Sequence, residues 1–197
     1  MTFIETVDEG EAAGATAEMY AGETDAFEFL PNFARAFSLR PEVYSAWKQL
    51  NGAVKGGMDL RRYELATLAA ASCLRSSYCA LAHGSVLLDG GFLEPDALRA
   101  AVSDHHAAGL AEVEVAVMDL AAKVATDATT VAQADIDRLR SLGLSDQDIL
   151  DVVLAAAVRC FFSKVLDGVG AEPDAKYSRL DPAALRDALT VGRALAG

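Results

Sequence analysis

Four residues of this chain have types and spacings that can do proton and sulfur chemistry. They are Glu64, Ser76, Cys79 and His83. If a helix begins near Ser76, Cys79 lies in its first turn, where free N–H groups and the helix dipole favour a thiolate. His83, four residues further, shares a face with Cys79. A neutral imidazole there can take the thiol proton and then stabilise the sulfur anion. Ser76 falls on the same face and its hydroxyl can donate to the thiolate, but it cannot form a disulfide. Glu64 belongs to the preceding helix. Its carboxylate can orient His83, directly or through a water, if the two helices pack side by side.

The elements that must position these groups read as helices throughout. Residues 9–22 read as a first helix ending at Gly22, and Pro31 sits early in a short second one. Pro41 opens a helix whose Val43, Trp47, Leu50 and Val54 share one face. An Ala/Leu-rich helix starts at Asp59. Its pattern breaks over Leu74-Arg75-Ser76-Ser77, where Ser76 or Ser77 can cap a new helix running to Asp89, ended by Gly90-Gly91. Helices follow at 94–103, from about Leu110, over TTVAQADIDRLRSLG, over LSDQDILDVVLAAAVRCFFSKVLDGVG, and at 182–195 behind Asp181-Pro182. The expected class is all-α, one domain over 1–197: N-terminal helices at about 9–56, core motif helices at about 59–90 and C-terminal helices at about 94–195. A shift of 84 positions lays Asp148 on Glu64, Cys160 on Ser76 and Ser163 on Cys79, an echo that suggests a duplicated helix pair.

Composition narrows the function. The 197 residues include 29 acidic and 17 basic ones, a net charge of −12, with no basic cluster, which argues against a nucleic-acid partner. The longest apolar runs, such as 152–158, are too short to cross a bilayer, and the acidic N-terminus lacks the apolar core of a secretory signal. Three cysteines, Cys73, Cys79 and Cys160, without such a signal suggest reduced thiols in the cytoplasm.

The spacing Glu64, twelve positions to Ser76, three to Cys79 and four to His83 resembles the motif Glu-x11-Cys-x2-Cys-x3-His of the AhpD-like alkyl hydroperoxidases, a family grouped with the carboxymuconolactone decarboxylases. FLPNFARAFSLRPEVYSAW (29–47) and LRSLGLSDQDILDVV (139–153) are similar to its peroxidase-related branch. The resemblance implies an all-helical fold and homo-oligomers, often trimers or hexamers. It also implies a disulfide between the two motif cysteines, with Glu and His relaying protons. Here Ser76 replaces the first motif cysteine, and Tyr78 stands where many redox members carry histidine. The ordinary two-cysteine cycle is therefore broken. Cys73 or Cys160 could replace the missing thiol; otherwise a sulfenic acid on Cys79 needs an external thiol reductant.

Two readings follow. In the first, the protein is a thiol peroxidase, or peroxide sensor, with Cys79 as nucleophile, His83 as base, Glu64 orienting His83 and Ser76 bonding the thiolate; neither metal nor organic cofactor is needed. In the second, His83 and Glu64 move protons on a small carboxylic-acid lactone, Cys79 is incidental, and Arg61, Arg62 and Arg75 build an anion site. A decayed, non-catalytic oligomer of the same fold is a third possibility. A narrow cleft at the sulfur would favour the first reading, and an apolar pocket of organic-substrate size the second. Simpler roles compete. Cys73 and Cys160 read as packing residues, Glu64 as an ion-pair partner of Arg61 or Arg62, and Phe29, Phe33 and Trp47 as core or subunit interface. His105 and His106 read as an exposed loop rather than metal ligands, since adjacent residues point apart.

Overall fold

The computed structural model describes residues 2–195, so both ends of the 1–197 span, residue 1 and residues 196–197, lie outside it. Among the described residues every regular element is helical: α1 (Gly14–Phe27), α2 (Asn32–Ala36), α3 (Pro41–Gly56), α4 (Leu60–Cys73), α5 (Ser77–Asp89), α6 (Pro95–Asp104), α7 (Glu112–Asp127), α8 (Gln133–Ser141), α9 (Asp146–Val169) and α10 (Ala183–Leu189), with short 3-10 turns between some of them. None of these helices is long and apolar enough to cross a membrane.

The centre of the fold is α4. Every residue from Tyr63 to Ala71 is buried, and α5, α7 and α9 pack around it. Small side chains at Ala66, Ala69, Ala70 and Ala71 let neighbouring helices approach on several sides, so no single apolar stripe is needed. The start is set by Asp59, whose carboxylate accepts the Arg62 N–H at 2.9 Å. At the other end Arg75 takes a left-handed backbone with φ of 56°. That bend turns the chain back, so α5 lies against α4 with Ser76 in the N-cap position that the sequence break predicts, though its hydroxyl makes no capping bond. On α9, Ser145 and Asp148 cap each other's backbone, and Gly170 supplies the left-handed C-terminal residue with φ of 72°.

Several expectations need correction. The first helix does not run over 9–22: a 3-10 turn occupies Glu9–Glu11, and α1 carries on through the solvent-facing Gly22 to Phe27. Leu50 is 53% exposed and, with Leu154 and Phe161, forms an outward apolar strip instead of joining Val54 in the core. The duplication also fails as a helix pair, because α9 runs unbroken where residues 60–89 bend. The final helix ends at Leu189 instead of 195. Beyond it the chain is pinned to α5: the Gly192 N–H donates to Ser77 Oγ at 2.9 Å.

A Cβ on Gly192 would sit 1.8 Å from the backbone oxygen of Arg75, so only glycine allows this approach. Gly192→Ala is expected to lower stability by about 1–3 kcal/mol, read as a shift in the urea midpoint with an unchanged slope. An unaltered midpoint would show that the docked tail contributes nothing.

Candidate active site

Packing α5 on α4 brings Glu64 and His83 into direct contact. Glu64 Oε2 lies 2.5 Å from His83 Nδ1, and Lys55 Nζ lies 3.2 Å from Glu64 Oε1. Thr67 Oγ1 is 3.1 Å from the same ring nitrogen while donating to the backbone oxygen of Tyr63. Burial pushes the Glu64 carboxyl up, but the bond from His83 and the charges of His83 and Lys55 outweigh it and hold it below its ordinary range. An ionised Glu64 only accepts, so Nδ1–H donates to it and Nε2 keeps the lone pair. Burial and then the Arg159 charge hold His83 below its ordinary value, against the pull of Glu64. The ring is a neutral base at pH 7. The ion-pair reading of Glu64 with Arg61 or Arg62 does not hold: Arg61 pairs with Glu114 and Arg62 with Asp148.

This arrangement sets a pH response. Below about 6.5, the ordinary histidine value, the unfolded chain binds a proton that the folded His83 refuses. Stability therefore falls as pH drops through that window, and a second loss begins below about 4.5, where an unfolded Glu64 protonates first. His83→Gln is expected to flatten the first segment of a urea-midpoint profile recorded between pH 7 and 5.5. An identical slope in both proteins would place the titration elsewhere.

Cys79 is 2% exposed, and its polar neighbour is a residue the sequence reading overlooked. Arg159 on α9 points Nη1 at Cys79 Sγ, 3.7 Å away, and Nη2 at Tyr63 Oη, 3.5 Å away. Tyr63 in turn donates to Asn51 Oδ1 at 2.7 Å. Burial works against the Arg159 charge, but the sulfur and the phenol outweigh it, so the guanidinium stays protonated. Among the described residues it has no carboxylate partner, and its Nε, buried, has no hydrogen-bond partner at all. An arginine inside VLAAAVRCFF was the available signal: a long cationic side chain in an otherwise apolar helix run needs a reason.

The other predicted residues fall as follows. Ser76 is fully buried, and among the described residues its hydroxyl has no hydrogen-bond partner; the sulfur contact drawn for it belongs to Arg159. No hydrogen bond joins Cys79 to His83 among the described residues, though both line one cleft. Tyr78, in the position of the motif histidine, is structural. Its hydroxyl donates to Asp174 at 2.6 Å and accepts the Phe33 N–H at 3.0 Å, tying α2 to α5. Cys73 is exposed at the end of α4, not buried as expected, and Cys160 is half-buried. Neither lines the cleft. Arg75 is also elsewhere, reaching towards the Val191 carbonyl.

The cleft holds about 400 Å³ and opens between α3, α5 and α9. Its walls include Phe33, Tyr44, Trp47 and Phe162, and its floor carries Cys79, His83 and Arg159. Trp47 stacks on Phe162 with centroids 3.9 Å apart. Trp47 and Phe33 were expected as plain core or interface; the structure places them in the cleft wall, because α2 and α3 lean over the α5–α9 seam. His105 and His106 also differ from expectation. Both rings turn towards Asp119 on α7, with Nε2 atoms 2.8 and 2.9 Å from its Oδ1.

An all-helical chain with a Glu–His couple and a buried cysteine on two facing helices has relatives. Residues 41–123 match the carboxymuconolactone decarboxylase family. The fold is similar to an AhpD-core, peroxidase-related protein from Ralstonia eutropha JMP134 (TM-score 0.80, 21% identity, covering 89% of this chain and 93% of that one). A peroxidase-related protein from Silicibacter sp. TM1040 is also similar (TM-score 0.76, 21% identity, 88% and 94% covered). So is the debrominase Bmp8, solved with 2,3,4-tribromopyrrole (TM-score 0.73, 14% identity, 96% of each chain covered). No curated protein sequence matches the chain significantly. The central part of the chain thus carries the carboxymuconolactone decarboxylase family pattern, and the whole has the fold of AhpD-like proteins.

Proposed function

We propose that this protein is a one-cysteine thiol oxidoreductase that reduces an organic hydroperoxide held in the aromatic cleft. The observation that carries the reading is the Cys79 sulfur on the cleft floor with the Arg159 guanidinium 3.7 Å away. A full positive charge in a low-dielectric site stabilises the negative charge that develops on the peroxide oxygen as it leaves. His83 accepts the thiol proton at Nε2, by way of a water or the substrate, while Glu64 holds the ring in that tautomer. The sulfur attacks one peroxide oxygen, the O–O bond breaks, and the alkoxide departs with the proton returned by His83. Cys79 is left as a sulfenic acid. An external thiol condenses with it, releasing water, and a second thiol frees Cys79 by exchange. That resolution route fits a cleft from which Cys73 and Cys160 are absent.

The cleft volume supports an organic substrate over hydrogen peroxide alone, since about 400 Å³ lies within the range of small-molecule sites. It also favours the acid–base reading, in which His83 and Glu64 act on a carboxylic-acid lactone and sulfur is a spectator. The direct Glu64–His83 bond is complete without sulfur. The two readings part on the fate of the thiol. After one equivalent of cumene hydroperoxide with dimedone present, the first predicts a single dimedone adduct on Cys79 by peptide mass mapping. An unmodified Cys79 that leaves the peroxide intact would favour the second.

A further inference from the structure

Outside the cleft, the structure assembles one group of side chains that neither reading uses. The chain leaves α6 through a 3-10 turn at His105–Ala107. Asp104 fixes that turn by accepting the His106 N–H at 3.0 Å. The turn sets two sequence-adjacent imidazoles side by side, their centroids 4.5 Å apart. Both aim Nε2 at the same carboxylate oxygen, Asp119 Oδ1 of α7. One ligand atom from each of the three residues lies within 4.8 Å of the others.

We propose that His105, His106 and Asp119 form a binding site for a divalent transition metal of the zinc class. Two imidazole nitrogens and one carboxylate oxygen are the donors that zinc, cobalt and nickel take at about 2.0–2.2 Å. Three protein donors leave further positions to water. On binding, each ring must offer the Nε2 lone pair. A proton that Nε2 now donates to Asp119 moves to Nδ1 or to solvent, and the metal takes its place between nitrogen and oxygen. Arg138 prepares the carboxylate: its Nη1 holds Asp119 Oδ2 at 2.9 Å and leaves Oδ1 to the histidines. A ligating carboxylate held by an outer hydrogen bond is a recurrent feature of metal centres. Arg138 also limits affinity, because its charge lies on the same carboxylate.

The donors come from two elements, the turn after α6 and the middle of α7, so a bound ion would staple the turn to the helix and raise the melting temperature with the logarithm of free metal concentration above its dissociation constant. His106 is 58% exposed, so the site opens to solvent and removing that ring leaves the core intact.

Calorimetric titration of zinc chloride into the Cys73→Ser/Cys160→Ser protein tests the assignment without competing outer thiols. The expected result is one equivalent bound, a zinc-dependent rise in melting temperature, and affinity at least about tenfold weaker in both His106→Ala and His105→Ala. Substoichiometric binding, or one equivalent unaffected by either substitution, would overturn it. So would binding lost only in His83→Gln. Because the readout is metal binding, it is independent of whether Cys79 reacts with peroxide.

Discussion

Replacing Cys79 by serine is expected to reduce hydroperoxide consumption, measured with an external dithiol as reductant, by at least about a thousandfold. The substitution keeps the volume and a hydrogen-bonding group on the cleft floor and removes only the nucleophile. Fold and cleft should persist, since Cys79 is one small member of a core formed by α4, α5, α7 and α9. Cys73→Ser and Cys160→Ser should leave turnover near the parent rate, because neither residue lines the cleft. Retained turnover in Cys79→Ser would transfer the chemistry to His83 and Glu64 and sustain the acid–base alternative.

The second large effect concerns Arg159, where stability and reactivity should part. The guanidinium is 4% exposed and among the described residues has no carboxylate partner. Its two contacts, 3.7 Å to Cys79 and 3.5 Å to Tyr63, are long and neither partner is a carboxylate, so removing the charge strands no buried carboxylate. Exchanging buried charged groups for apolar residues of similar volume is often neutral or stabilises by about 1–4 kcal/mol. Arg159→Met is therefore expected to match or exceed the parent in urea denaturation while its peroxide turnover falls at least about tenfold. A protein that loses stability and keeps activity would show Arg159 to be a packing residue. The same reasoning separates Arg159 from Glu64, whose contacts to His83 and Lys55 are short and whose removal would strand both partners.

Much of this fold is written in local chemistry, and those parts could be read from the sequence. Asp59 caps α4, the Leu74–Ser76 break separates α4 from α5, and Gly170 ends α9, because each signal acts within one turn of the helix. Glu64 and His83 were legible for a related reason. A carboxylate in an Ala/Leu-rich helix needs a partner, and antiparallel neighbours joined by a tight bend bring such partners together. Arg159 was not legible in this way. It reaches Cys79 from 80 residues away, and no periodicity reports which helix crosses which. The same holds for Trp47 and Phe33, whose amphipathic pattern says only that one face is covered. His105 and His106 misled for the opposite reason: adjacent residues do diverge on an α-helix, but a 3-10 turn and a carboxylate on the next helix bring both rings back together. Family resemblance supplied the motif and the fold, and it marked the missing thiol. It did not supply the cation that stands at the sulfur.

The central claim is that Cys79 is a reactive sulfur and that Arg159 makes it so. The most direct measurement is the rate of iodoacetamide alkylation of Cys79 at pH 7, in a Cys73→Ser/Cys160→Ser background, with Arg159 intact and as Arg159→Met. The account predicts stoichiometric modification of Cys79, slowed at least about tenfold by the substitution. Equal rates in the two proteins, or no modification while the cleft remains open to small aromatic molecules that quench Trp47, would contradict it.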